Sequence, residues 1–189
     1  MNIPTPTLPQ ARRHSINRQH SDPTAAILTR RIRWLVALMM VGLVGSGVTA
    51  IPLSWEITVL HTLIGPSTWM QQQWPALADW IDTVHQAITV VTQQYPLLLY
   101  GTDWLAFAHI VIALAFIGPY RDPVRNIWVV EFGLIACVLV IPMALVFGPL
   151  RGIPFFWCLI DCSFGMVGFI LLWVARQHIL RLQRLLRTE

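Results

Sequence analysis

Four ionisable side chains lie within long apolar stretches of the chain, where a charge is costly to keep. They are Asp103, His109, Glu131 and Asp161. Ionisable side chains within membrane-crossing helices are rare and often belong to ion or proton pathways. Arg151, in the turn before the last apolar stretch, is the nearest cation and could neutralise Asp103 or Asp161. These five residues form a candidate polar pocket or proton relay.

Helical geometry limits how such a relay could work. Asp103 and His109 are six positions apart, so on one helix their side chains point about 120° away from each other. Asp103 and Asp161 each lie six residues from the outer end of their apolar stretch, about 9 Å below the same surface. The competing interpretation is structural. Polar side chains commonly join membrane helices by hydrogen bonds, and Asp103 or Glu131 could cap a helix start.

A haem is the cofactor that His109 could bind, as the one histidine within the apolar stretches. A b-type haem generally takes two axial ligands, and Met166 or Cys137 could supply a sulfur as the second. A haem shared by two copies of the chain would need no second histidine. No metal site is predicted, and haem b or a quinone remain the possible cofactors.

Cys158 and Cys162 are the candidate redox thiols. Their i, i+4 spacing places both on one face of a helix, close to the expected outer surface, where disulfide chemistry is favoured. A quinone would be the oxidant in that case. The alternative is that both are small buried hydrophobic residues that fill the interior.

The stretches that carry these residues are long enough to cross a bilayer. Of the 189 residues, 56% are hydrophobic and only 12% are charged, against about 25% charged in a typical soluble domain. About 20 apolar residues cross the hydrocarbon layer as a helix. The sequence predicts an all-α, four-helix membrane bundle over residues 30–176, with spans at about 34–53, 97–118, 127–147 and 155–175.

The segments outside these spans differ in composition. Residues 1–29 are rich in proline and polar residues and are expected to be a disordered cytoplasmic tail. Residues 54–96 hold acidic residues but no arginine, and apolar residues recur every three or four positions behind Pro75. This pattern predicts an amphipathic helix in an outer loop. Residues 177–189 are expected to form a basic amphipathic cytoplasmic end.

The arginines indicate the orientation of the bundle. Four spans place twelve of the 13 basic residues, all arginines, on one side of the membrane, and leave only Arg151 on the other. Because positive charge is retained in cytoplasmic loops, both termini are predicted to lie in the cytoplasm of a bacterium, with the chain in its inner membrane. A signal peptide cleaved near Ala50 is the alternative, although the region before it is long for one.

The composition favours a membrane protein with little mass outside the bilayer. We expect a small accessory or scaffold subunit of a membrane complex rather than an enzyme. The alternatives are a proton-coupled transporter or channel built on the relay residues, and a membrane redox protein that uses the thiols, a quinone or a haem. The expected partners are the lipid bilayer and other membrane subunits or further copies of the chain. Nucleic acid is not among them.

Overall fold

The computed structural model describes residues 23–187, and every regular element in this range is helical. The tail expected at residues 1–29 therefore lies mostly outside the described residues. Eight α-helices follow in order, with a 3₁₀ turn at Pro96–Leu99. They are α1 (Pro23–Ala50), α2 (Leu53–Ile64), α3 (Met70–Gln73), α4 (Pro75–Gln94), α5 (Tyr100–Ala115), α6 (Ile117–Arg121), α7 (Ile127–Leu150) and α8 (Phe155–Arg187).

Four helical segments are long and apolar enough to cross a membrane, which confirms the predicted all-helical class and the predicted number of long apolar helices. They comprise α1, the stretch Pro96–Arg121, α7 and α8, with 28, 26, 24 and 33 residues. Mean hydropathy over 18 residues ranges from 1.7 to 2.6. At 1.5 Å per residue, each exceeds the roughly 30 Å of a hydrocarbon layer.

The helix ends differ from the expected spans for local reasons. Helix α1 begins at Pro23 rather than near residue 34, because arginine is a good helix former and does not end a helix. Helix α7 continues through Pro149 to Leu150. It ends where the N–H of Ile153 donates to the Gly148 carbonyl and that of Gly152 to the Pro149 carbonyl. This termination requires a positive φ, and Gly152 supplies one at 72°.

The long helices pack in antiparallel pairs, α1 with α5, α1 with α8 and α7 with α8. Glycines allow the closest approaches. A Cβ on Gly165 would lie 2.7 Å from the Cys137 carbonyl oxygen, and one on Gly47 would lie 2.9 Å from the Ala106 carbonyl oxygen. Close backbone approach of this kind is typical of helices that associate in lipid, where van der Waals contact replaces the hydrophobic effect.

The bundle is closed at one end and open at the other. At the end where α1 begins and α6 ends, which we call the arginine end, Phe116 is fully buried and reaches the backbone of Gly133 in α7. At the opposite end, which we call the cap end, α5 packs against α1 and makes no extensive contact with α7 or α8 in the described part of the chain. Both α5 and the second half of α7 therefore keep broad apolar faces uncovered.

Residues 53–94, which we call the cap, form a small separate core above the open end. Helices α2 and α4 bury Ile57, Leu77 and Ile81 between them. The helix expected behind Pro75 is present, with Pro75 in its first turn. The Trp80 ring lies 6.3 Å from that of Trp157 at the start of α8. Burying each large apolar side chain stabilises the cap by about 1.5 to 3 kcal/mol.

Candidate functional site

Asp103 lies in the first turn of α5 on a surface rich in aromatic side chains. Tyr100, Trp104 and Phe107 line a shallow pocket of about 260 Å³ together with Asp103. The Trp104 ring is nearly perpendicular to the other two rings, with its centroid 5.9 Å from that of Tyr100 and 5.7 Å from that of Phe107. We call these four residues the α5 patch. Asp103 makes no side-chain hydrogen bond or ion pair within residues 23–187, and it is exposed.

His109 lies about 120° around α5 from Asp103, at the contact with α1. Its Nδ1 donates a hydrogen bond to the Leu105 carbonyl at 2.8 Å, one turn earlier in the same helix. A Cβ added to Gly47 of α1 would lie 3.1 Å from the His109 Cβ. The ring is therefore set at a close helix contact, and only its Nε2 remains available as a ligand.

Glu131 is paired with Arg176, the last residue of the predicted bundle. Arg176 of α8 places its Nε and one terminal nitrogen each 2.9 Å from Glu131 Oε1. Both side chains are partly exposed, at 43% for Glu131 and 29% for Arg176. The carboxylate is neutralised across the α7–α8 contact at the arginine end. The N-cap of α7 is Asn126, so Glu131 does not cap the helix.

Asp161 and Arg151 lie near the cap end but do not pair. Arg151 is exposed at the end of α7, and Asp161 is half-buried in α8, one turn after Trp157. Within the described residues, no hydrogen bond or ion pair joins any two of Asp103, His109, Glu131, Arg151 and Asp161. The structure places these five candidates at separate positions.

The cysteines are free thiols held inside the helix packing. Cys158 is fully buried, and its Sγ occupies the space that a side chain on Gly148 of α7 would fill. Cys162 is also buried, one turn further along α8. Cys137 of α7 lies in the same way against Gly168 of α8, whose added Cβ would be 2.9 Å from the sulfur. In these positions the small sulfur atoms allow α7 and α8 to approach closely.

A polar cluster in the cap was missed by the sequence reasoning. His61 of α2 and Asp82 of α4 share a hydrogen bond of 2.9 Å between Nε2 and Oδ1. The His85 ring stacks on that of His61 with centroids 4.3 Å apart, and Gln86 donates to Asp82 Oδ2 at 2.8 Å. The i, i+3, i+4 spacing of Asp82, His85 and Gln86 signals a shared face. Nothing in the sequence identifies His61 as the partner.

An apolar groove of about 460 Å³ lies between α2, α4 and the start of α8. Trp55, Leu60, Val84 and Trp157 contribute to its lining, and Glu56 is its one ionisable residue. No group of three or more histidine, cysteine, aspartate or glutamate side chains between residues 23 and 187 is arranged to hold a metal ion. The groove therefore offers apolar contact and a single carboxylate.

Comparisons with known proteins provide no relative. The chain matches no protein-family model, no curated protein and no solved structure.

Proposed function

We propose that the protein is a multi-pass accessory or scaffold subunit of the bacterial cytoplasmic membrane, with both termini inside, and that it holds another membrane chain against the α5 patch. The four long apolar helices and the gathering of arginines at one end support the membrane location and orientation. The cap would then lie on the outer side of the membrane.

The observation that carries the docking role is the exposed carboxylate of Asp103 on a helix apolar enough to span lipid. A charged side chain at the centre of a membrane helix costs about 2.5 to 3.5 kcal/mol to insert, and less near its ends. Because Asp103 has no partner in the described part of the chain, a cation from another chain would remove this cost. The rings of Trp104 and Phe107 beside it would add contact area.

The rest of the free face of α5 suits a second helix. Gly101, Ala108 and Ala115 repeat at seven-residue intervals, and all three are exposed. Small residues on one face let two helices approach closely in lipid. A Cβ added to Gly101 would contact nothing within 4 Å, so the space beside it is open. The small residues lie beside Trp104, on the side of α5 that points away from Asp103, and a partner helix could pack closely there.

The transporter and redox alternatives receive less support from the contacts. Glu131 already has Arg176 as its partner, and the relay residues do not meet. Cys158 and Cys162 are buried among packed side chains, away from an oxidant in solution. Neither arrangement supplies a continuous path for protons or an accessible thiol.

The test is extraction of the tagged chain from its own membranes in a mild detergent, followed by measurement of the mass of the protein component. The proposal expects a mass well above the 21.5 kDa of one chain. Asp103→Arg should release the chain from that assembly, because it places a cation where a cation is bound. Asp79→Arg is the matched control, since Asp79 is an exposed aspartate in the cap. Recovery of the wild-type chain alone would contradict the proposal.

A further inference from the structure

We infer that the chain covering the α5 patch is a second copy of this protein, with Asp103 of one copy paired to Arg151 of the next. This inference rests on the proposed docking function and names its partner. It follows from three features of the structure: the position of the two charges, the open end of the bundle, and the large apolar side chains on the two uncovered faces.

The two charges are opposite in sign, exposed, and located at the same end of the molecule. Asp103 lies in the first turn of α5, and Arg151 is the residue at which α7 ends. Because α5 and α7 run in opposite directions, the start of one and the end of the other both lie at the cap end. Within residues 23–187 neither side chain forms an ion pair.

The packing of one copy does not pair the two charges. Helix α5 is held by α1 and α7 is held by α8, and within residues 23–187 α5 makes no extensive contact with α7. The α5 and α7 faces therefore sit at the two sides of the open end. A second copy that presents its α7 to the α5 of the first satisfies one Asp103 and one Arg151, and leaves the remaining two charges free to repeat the contact. Repetition of such a head-to-tail contact produces a ring when the rotation closes.

Both uncovered faces carry large apolar side chains that another helix can cover. On α5 they are Trp104, Phe107 and Val111, which are exposed on the side of the helix next to Asp103. The α7 face offers a ridge of large exposed side chains that ends next to Arg151. The ridge consists of Leu139, Met143, Val146, Phe147 and Leu150. Ridges of one helix that enter the grooves of another are the usual form of helix packing.

Charge reversal provides the test, with the intact mass of the assembly in detergent as the readout. Wild type should give a whole-number multiple of the 21.5 kDa chain. Asp103→Arg and Arg151→Asp should each lower the fraction of assembled protein about tenfold, as expected when one member of an interfacial charge pair is lost. The double variant D103R/R151D restores the pair in reverse and should recover most of the assembly. Asp79→Arg should leave the assembly unchanged.

The outcomes separate this inference from the function on which it rests. An assembly containing a chain of another mass that is lost in Asp103→Arg would overturn self-association and leave the docking function standing. A single chain in every variant would overturn both. If wild type assembles as a multiple of the chain mass but the double variant does not recover that assembly, the pairing is wrong. The pairing is also wrong if the Arg151→Asp variant assembles normally, which is the result expected if Arg151 binds a lipid phosphate instead.

Milder substitutions distinguish the loss of the ion pair from a failure to fold. Asp103→Asn and Arg151→Gln remove one charge each without placing like charges together. Both should reduce assembly while the helical content, measured by circular dichroism, stays at the wild-type value. If both keep full assembly, the ion pair is absent and the inference is wrong.

Discussion

The polar residues inside the long helices have individual structural environments that their sequence positions alone do not predict. Glu131 is neutralised by Arg176, His109 bonds to the carbonyl of Leu105, and Asp103 faces outward beside aromatic rings. These residues therefore differ in their structural roles, although their shared position within apolar stretches suggested a single role. The ion pair of Glu131 and Arg176 can be tested by one substitution.

Loss of the Glu131 charge should weaken the α7–α8 contact. Glu131→Gln leaves Arg176 without a counter-charge, and we expect the free energy of unfolding to fall by about 1 to 2 kcal/mol. Unfolding by sodium dodecyl sulfate in mixed micelles measures this change. Glu56→Gln is the control, because Glu56 has no ion pair within the described residues. Equal stability of the two variants would show that the pair contributes nothing.

Gly148 should tolerate no side chain, because the Cys158 sulfur occupies that space. Gly148→Ala should lower stability by about 1 to 3 kcal/mol through overpacking. The double variant with Cys158→Ala removes the sulfur and should recover most of the loss. Gly45→Ala provides the comparison, since a Cβ there contacts nothing within 4 Å. It should be at least as stable as wild type, and a Gly148→Ala protein of equal stability would refute the packing role of Cys158.

The helices form two parts, a membrane-type bundle and the cap, and few contacts join the cap to the bundle. The cap has its own apolar core and its own polar cluster, and it meets the bundle through aromatic side chains at the start of α8. The cluster links α2 to α4 through His61 and Asp82. The cap should therefore loosen separately when this link is cut.

Removal of His61 should loosen the cap and leave the long helices intact. His61→Ala deletes the hydrogen bond to Asp82 and the ring that stacks on His85. Hydrogen–deuterium exchange, read by mass spectrometry, should accelerate in peptides from residues 53–94 and stay unchanged in α7 and α8. Thr62→Ala, at the next position of α2, should leave exchange in α4 unchanged. Uniform acceleration across the whole chain would contradict the separation of cap and bundle.

For the whole molecule, the sequence predicts the long helices well and their contacts poorly. Apolar stretches of about 20 residues identify the four long helices without knowledge of their neighbours, and these helices are confirmed. The early start of α1 is missed because arginine and apolar residues are equally compatible with a helix. The pairing of Glu131 with Arg176 and of His61 with Asp82 depends on which helices are adjacent, and periodicity within one helix does not contain that information.

The open cap end is also a property of the whole molecule. The sequence predicts a bundle with a cap on its outer side but not the gap between α5 and α7. Within residues 23–187 Phe116 packs against Gly133 of α7 at the arginine end, and α5 itself makes no extensive contact with α7. The bulk of Phe116 fills the closed end, and no residue of similar size performs this role on α5 at the cap end. The uncovered faces of α5 and α7 follow from this difference, and the docking function is proposed on them.

The proposed function requires that another chain covers the free face of α5 in the membrane. A photo-crosslinking amino acid placed at single positions along α5, in intact membranes, would detect that chain. Adducts to a protein chain are expected at Trp104, Phe107 and Val111, which are exposed, and at background level at Leu38, an exposed residue of α1. Equal yields at the α5 positions and Leu38 would contradict the claim, because α5 would then face the same lipid as the rest of the bundle.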